Sequence, residues 1–398
     1  MPFRTRRLRV ALVFLATLRL VINTGHRFVY PFLPAIARGL GISLERAGFL
    51  VSARWAAGLG TPALVGFAGR GERRRRLLGI GLSLFAVGAA ITAASNVYVG
   101  ALVGFVLMGI AKPVFDVGAQ SYLADRVPYD SRARYLGALE LTWAGGLLVG
   151  APLAGWLISR SGWTAPFWVI AAATGAAVVL LGLALESDAG GERSVSKGLA
   201  WDRHTIAFMV MVAIFSGAAE VMFVVMGAWL EDSFGLSLLS LGGLATLIGL
   251  AELTGEGAVA AFADRVGKRA IVALGMIVAA TGFLLLAAME GHLVAGIGSM
   301  MVAFLGFELT IVGSIPLASE LRPYARARFL AWMIVAMAIG RTAGAASGAG
   351  IFAVFGVAGN AVVAAAANLV ALGVLLTWVR EEGTGTTSIE DRGGLRRS

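Results

Sequence analysis

The chain has 398 residues, 58% of them hydrophobic and only 14% charged, with a mean hydropathy of +0.83. That is too apolar for a domain folded in water, which carries about 25% charged residues. A formal net charge of +10 raises the question of nucleic acid, and 0 cysteines exclude a disulfide framework, a thiolate nucleophile or a cysteine metal site.

Runs of roughly 20 apolar residues, the length a bilayer demands, predict helices at about 10–37, 45–68, 76–94, 97–123, 133–158 and 163–185. They resume at about 204–230, 238–262, 270–289, 294–318, 327–350 and 356–379. The expected fold is an all-α integral membrane protein of twelve transmembrane helices, as two pseudo-symmetric six-helix bundles. The expected domains are a bundle over 1–185, a linker over 186–203, a bundle over 204–380 and a disordered tail over 381–398.

The first run opens with Arg4, Arg6, Arg7 and Arg9, as a signal peptide would. It continues to about Ala37, carries Arg19 and Arg27, and has no small-residue cleavage site after a short core, so it reads as a retained membrane helix. Arg19, Asn23, His26, Arg27 and Tyr30 are spaced by three and four and share one helical stripe. Such a stripe is expected to line a water-filled cavity, although Arg19 has the second reading of snorkelling toward the helix end. Arg54 lies near the middle of helix two. In helix four, Lys112 and Asp116 are four apart, with Pro113 between them and Gln120 one turn on; the pair is either a self-neutralising ion pair or a coupling site. Helix five carries Glu140 beside Trp143.

The second half has the opposite sign. Glu220 is mid-helix seven, Glu252 and Glu256 are one turn apart in helix eight, and Glu308 is mid-helix ten. Two carboxylates one turn apart in a low dielectric should not both stay ionised, and Glu252, further from the helix end than Glu256, is the better proton site. Arg341 in helix eleven is the expected counter-charge for an acid of this half. Intramembrane charges of this kind each cost at least about 2.5–3.5 kcal/mol and are functional candidates by default.

Two charged loops recur. LADRVPYDSRARYL at 123–136 answers LASELRPYARARFL at 317–330, at an offset of 195 for Asp125 with Glu320 and Pro128-Tyr129 with Pro323-Tyr324, and of 194 after a one-residue gap for Arg132 and Arg134 with Arg326 and Arg328. GFAGRGERRRRLL at 66–78 answers AAFADRVGKRAIV at 260–272, with Arg70 opposite Arg265. Repeats half a chain apart in a hydrophobic sequence indicate a duplicated membrane domain. Of the 33 Lys and Arg, 25 fall on one side of the predicted membrane, 3 on the other and 5 within helices. The positive-inside rule then puts both termini and the linker in the cytoplasm, with the protein in the inner membrane, and leaves nothing for a nucleic-acid role to explain.

The loop before helix three resembles the major facilitator superfamily signature G-x-x-x-D-R-x-G-R-K/R: Arg70, Arg73 and Arg74 fit it, Gly66 stands one residue from the position of the first Gly, Gly69 replaces the Asp and Glu72 the second Gly. Its second copy keeps Asp264, Arg265, Gly267, Lys268 and Arg269. The resemblance extends over nearly the whole chain. It implies rocking alternating access, with these loop residues forming a cytoplasmic gate. GGLLVGAPLAGW at 145–156 is similar to the glycine-proline motif of the family's antiporters, with Ala151 inserted between Gly150 and Pro152. That leans toward export, whereas Phe105 stands where drug–proton antiporters carry an arginine, and no sugar-porter signature is present.

The expectation is a secondary transporter of a small amphipathic or charged organic solute, proton-coupled, with a lipid or lysolipid flippase as the alternative. Asp116, Glu140, Glu220, Glu252 and Glu308 are the proton-site candidates. His26, Arg27, Arg54, Lys112 and Arg341 are the substrate or counter-charge candidates. No cofactor or metal is expected, and a monomer in the bilayer suffices. A membrane enzyme is disfavoured by a histidine set of only His26, His204 and His292 and by the lack of an H-E-x-x-H run.

Overall fold

The computed structural model describes residues 2–60, 74–186 and 199–379, with backbone alone for 2–6 and 129–134. Gly66, Arg70 and Arg73 of the expected gate lie outside the described residues, as do most of the expected linker and the tail. Every regular element among the described residues is helical. Among the described residues, ten helices are long and apolar enough to cross a membrane. One of these, Arg326–Trp378, is two helices joined at Gly356, whose φ of 64° and ψ of −170° leave the helical region. A further helix, Leu44–Ala57, runs up to the undescribed stretch that follows Gly60. The ten, the one gained at Gly356 and this last one make twelve segments, as the hydropathy predicts.

In chain order, α1 is Pro2–Arg27 continued by Leu33–Leu40, α2 Leu44–Ala57, α3 Arg74–Ala94, α4 Tyr98–Arg126, α5 129–161 and α6 Ala165–Ala184. The second six are α7 (Arg203–Phe223 continued by Met226–Phe234), α8 Leu238–Val266, α9 Lys268–Met289, α10 Leu293–Leu321, α11 326–355 and α12 357–378. Two helices expected to be continuous are broken. In α1 the break falls where Pro31 would have to donate to the Arg27 carbonyl and has no N–H; Tyr30 N–H donates to that carbonyl instead, at 3.2 Å. The α7 break at Val224 and Val225 falls at the repeat offset from Tyr30 but holds no proline. In α5 a π-helical turn spans Gly146–Gly150, immediately before Ala151. An i→i+5 turn holds one residue more than an α turn, which accommodates the residue inserted into the glycine-proline motif.

The repeat is most complete at the end of the molecule away from the termini. Gly41-Ile-Ser43-Leu44 recurs as Gly235-Leu-Ser237-Leu238, 194 residues on. Gly41 and Gly235 end their helices in the left-handed region, at φ 63° and 62°, where a Cβ costs about 1–2 kcal/mol. Ser43 and Ser237 cap the next helix, accepting from Arg46 N–H at 3.4 Å and Ser240 N–H at 3.2 Å. Seven residues beyond each glycine stands another, Gly48 and Gly242. A Cβ at Gly48 would lie 2.9 Å from the Ala345 carbonyl oxygen, and one at Gly242 would lie 2.9 Å from the Ala151 carbonyl oxygen. Ala151 and Ala345 are themselves 194 apart. Hence α2 crosses α11, and α8 crosses α5, through the same backbone-on-backbone contact, and these two crossings join the halves. Small residues permit such approach between membrane helices.

At the opposite end, each half carries an equivalent ion pair between the start of its third helix and the end of its fourth: Arg74 with Asp125, and Lys268 with Glu320. Large apolar side chains cover the outside, with Leu183 87% and Val294 85% exposed. Exposure of that order is costly in water and costs nothing against hydrocarbon.

Candidate functional site

The charges predicted inside the membrane form three clusters, ordered along α1 by Arg19, Arg27 and Tyr30. Helix rise puts Arg19 and Arg27 about 12 Å apart.

The cluster furthest from the termini centres on Glu220 of α7, which is fully buried. It accepts from Arg341 Nη1 at 2.8 Å, from Tyr30 OH at 2.7 Å and from Trp55 Nε1 at 2.9 Å. Arg341 therefore pairs with an acid of its own half, and two side chains of the first half reach the same carboxylate. The Arg341 guanidinium lies 4.7 Å over the Trp55 ring. Arg54, buried at 1% exposure, makes only a 3.4 Å bond to Tyr30 OH, and its Nε and Nη1 have no partner. Nearby, Ser52 Oγ donates to the Thr342 carbonyl of the other half at 2.9 Å.

The central cluster is a single bidentate pair. Arg27 Nη1 and Nη2 donate to the two oxygens of Glu252 at 2.5 Å each, with the arginine 1% and the glutamate 0% exposed. A third bond runs from Nη1 to the Trp143 carbonyl at 3.1 Å, and the guanidinium lies 4.6 Å over the Trp143 ring. This pair spans the two halves. Glu308 of α10, 2% exposed, shares these charged neighbours, yet its Oε1 has no partner and no ion pair holds it among the described residues. Gly255 lets it approach α8, since a Cβ there would come 2.8 Å from the Glu308 Cβ.

The third cluster, nearest the termini, belongs wholly to the first half. Arg19 bonds Asp116 and Glu140 at 3.0 Å each, Lys112 bonds Asp116 at 2.6 Å, and Gln120 bonds Glu140 at 3.1 Å. The Lys112–Asp116 pair thus exists, as part of a larger network. Arg19 is 5% exposed and ion-paired, which decides against snorkelling. Glu140 is about half exposed, with a side-chain value of 51%, and faces Glu256 of α8 across open space, where Gly137 and Gly257 meet nothing within 4 Å. The cluster nearest the repeated glycine turns is thus fully buried at Glu220, whereas the one nearest the termini is partly exposed at Glu140.

His26 sets Nε2 3.3 Å from the Met108 carbonyl, and its Nδ1 has no partner. The residues missed by sequence reasoning are Trp55 as a donor to Glu220, and the choice of Glu252 by Arg27. Trp55 has the local signal of standing beside a mid-membrane arginine. A pairing across 225 residues has none.

A sequence model described as the Major Facilitator Superfamily matches residues 15–201. The uncharacterized MFS-type transporter YwfA of Bacillus subtilis (strain 168) is 30% identical over 149 residues. By that match and that relative, the first half of the chain is similar in sequence to the major facilitator superfamily. The matched stretch is 35% of this chain, and the chain spans about a third, 34%, of the length of that relative. Among solved structures, a bacterial homologue of the human lysosomal transporter Spinster, inward-facing and occupied, superposes with a TM-score of 0.78 at 15% identity, over 96% of this chain and 98% of that one. A D-xylose–proton symporter gives 0.77 at 17% identity, over 94% and 98%. At such identities these likenesses concern the fold alone. Asp264 and Arg265 stand exposed at the end of α8, and Gly267, at φ 93°, turns the chain directly into Lys268 of α9. The second signature glycine therefore has a backbone reason to be glycine.

Proposed function

We propose that the protein is a proton-coupled secondary transporter that exports a small amphipathic or charged organic solute by alternating access. The reading is carried by Glu308: a buried carboxyl without a donor, beside a guanidinium already committed to Glu252 in the other half's grip. A bare carboxylate without a partner in such a place costs several kcal/mol, so Glu308 holds a proton in this conformation. On losing it, Glu308 competes with Glu252 for Arg27. On taking a proton, Glu252 releases Arg27. Either event weakens the one ion pair of the central cluster that joins the halves, so proton occupancy and rocking are linked. With the termini cytoplasmic, the half-exposed Glu140 lies on the inward side and the buried Glu220 cluster on the far side. The glycine-proline likeness of α5 supports export.

The test is proton flux in proteoliposomes under an imposed pH gradient, with cationic drugs, zwitterions, organic acids, sugars and lysolipids offered in turn. A compound should collapse the gradient with the parent protein and not with Glu308→Gln or Glu252→Gln. Equilibration of a labelled lipid between leaflets with no proton movement would replace this reading by the flippase one.

A further inference from the structure

Arg54 is the one guanidinium of the two inner clusters with no carboxylate of its own. Arg27 is consumed by Glu252 and Arg341 by Glu220. Glu220, the acid nearest Arg54, already accepts three hydrogen bonds. What remains to Arg54 is a long bond from Nη2 to Tyr30 OH at 3.4 Å, together with the Tyr30 and Phe105 rings at 5.6 and 5.7 Å. Its Nε and Nη1 are buried with no partner. The charged neighbours of His26 are Arg54 and Lys112, both cations, and its Nδ1 is likewise buried and free. The His26 ring packs at 5.8 Å from Phe85 and 6.3 Å from Trp55.

An uncompensated buried cation costs several kcal/mol and adds nothing to packing that a neutral side chain could not supply. A fold keeps such a group when something outside the chain completes it. The geometry points to Arg54 and His26 as an anion subsite, which takes the carboxylate of an aromatic organic acid. The carboxylate is held by the free guanidinium nitrogens and, when it donates, by His26 Nδ1, with the ring of the acid among Phe85, Phe105 and Trp55. Arginine suits the planar carboxylate because its fork matches the two oxygens. This subsite rests on the transport reading for its use, and names the class of solute carried.

The test separates binding from transport. Thermal unfolding of the purified full-length protein is followed in detergent with benzoate and 4-phenylbutyrate, against benzamide and 4-phenylbutyramide as uncharged controls. The acids should stabilise the parent and the amides should not. In Arg54→Gln the acid affinity should fall about tenfold or more, the loss expected for a charge-assisted hydrogen bond. The same variant should unfold at a higher temperature than the parent without ligand, because an unpaired charge has been removed. Arg54→Lys, which keeps the charge and loses the fork, should retain part of the acid binding. Equal stabilisation by acids and amides, or a destabilised ligand-free Arg54→Gln, overturns the proposal. Acids that bind while no solute moves protons would leave the subsite standing and remove the transport reading. Protons moved by a cationic or neutral solute, with acids inert, would do the reverse.

Discussion

The two crossings that join the halves and the charges between them obey different rules. At the crossings the halves are copies: Gly48 on Ala345 and Gly242 on Ala151, with the same distance to the same carbonyl atom and the same capped turn seven residues before. In the charged clusters they are not. The third cluster lies entirely in the first half, Glu220 and Arg341 lie in the second, and Arg27 meets Glu252 with no counterpart at the repeat offset. A duplicated chain keeps its symmetry where packing is at stake, because both copies must solve the same contact. It loses symmetry where a charge at the shared centre needs one partner and not two.

The largest effect should come from splitting the asymmetric pair. Arg27→Met leaves Glu252 buried without its partner and should cost about 3–5 kcal/mol in thermal or denaturant unfolding. The double variant Arg27→Met/Glu252→Leu should recover most of that loss, and a double variant as unstable as the single would mean that the pair is not ionised. Next come the symmetric crossings. Gly48→Val and Gly242→Val should each cost about 1–3 kcal/mol by overpacking, and the two values should agree within about 0.5 kcal/mol if the crossings are equivalent. Gly41→Ala and Gly235→Ala, which force a Cβ into the left-handed region, should each cost about 1–2 kcal/mol, again as a matched pair.

The smallest effect concerns a feature of the second half alone. Asp202 caps α7, accepting from Thr205 N–H at 2.8 Å and pairing with Arg322. Partial burial pushes its carboxyl up, but the Thr205 and Arg322 hydrogen bonds outweigh this and hold it below the ordinary value. A depressed carboxylate contributes stability above the ordinary carboxylate range and loses it as pH falls through its folded value. Asp202→Ala should therefore cost about 0.5–1 kcal/mol near neutral pH, the low end for an exposed cap, and the difference from the parent should close in acid. A gap that widens in acid would contradict the assignment.

Hydropathy made the helices legible, because a twenty-residue apolar run has few other uses. Spacing alone also carried the α1 stripe and the Lys112–Asp116 pair, since both lie within one helix. That Arg341 would face some acid of its own half followed from sign, since among the described residues it is the only buried cation of that half, but which acid did not. The partners of Arg27 and Trp55 did not follow, because contacts across the two halves leave no local periodicity. The α7 break at Val224 and Val225 was hidden for a related reason: neither residue is a helix breaker. The capped turns stand in the sequence as Gly-x-Ser-Leu at the repeat offset, but carry no charge to set them apart in an apolar chain.

Gly48 and Gly242 have one further consequence, mechanical in kind. Helices that mesh by interleaved side chains behave like cogs, and turning one against the other means lifting each tooth out of its notch. A glycine resting on a bare carbonyl is instead a smooth journal in its bearing. In the proposed alternating access, a half that rolls on these two contacts meets little resistance there, which leaves the Arg27–Glu252 bond and the Glu220 cluster as its latch.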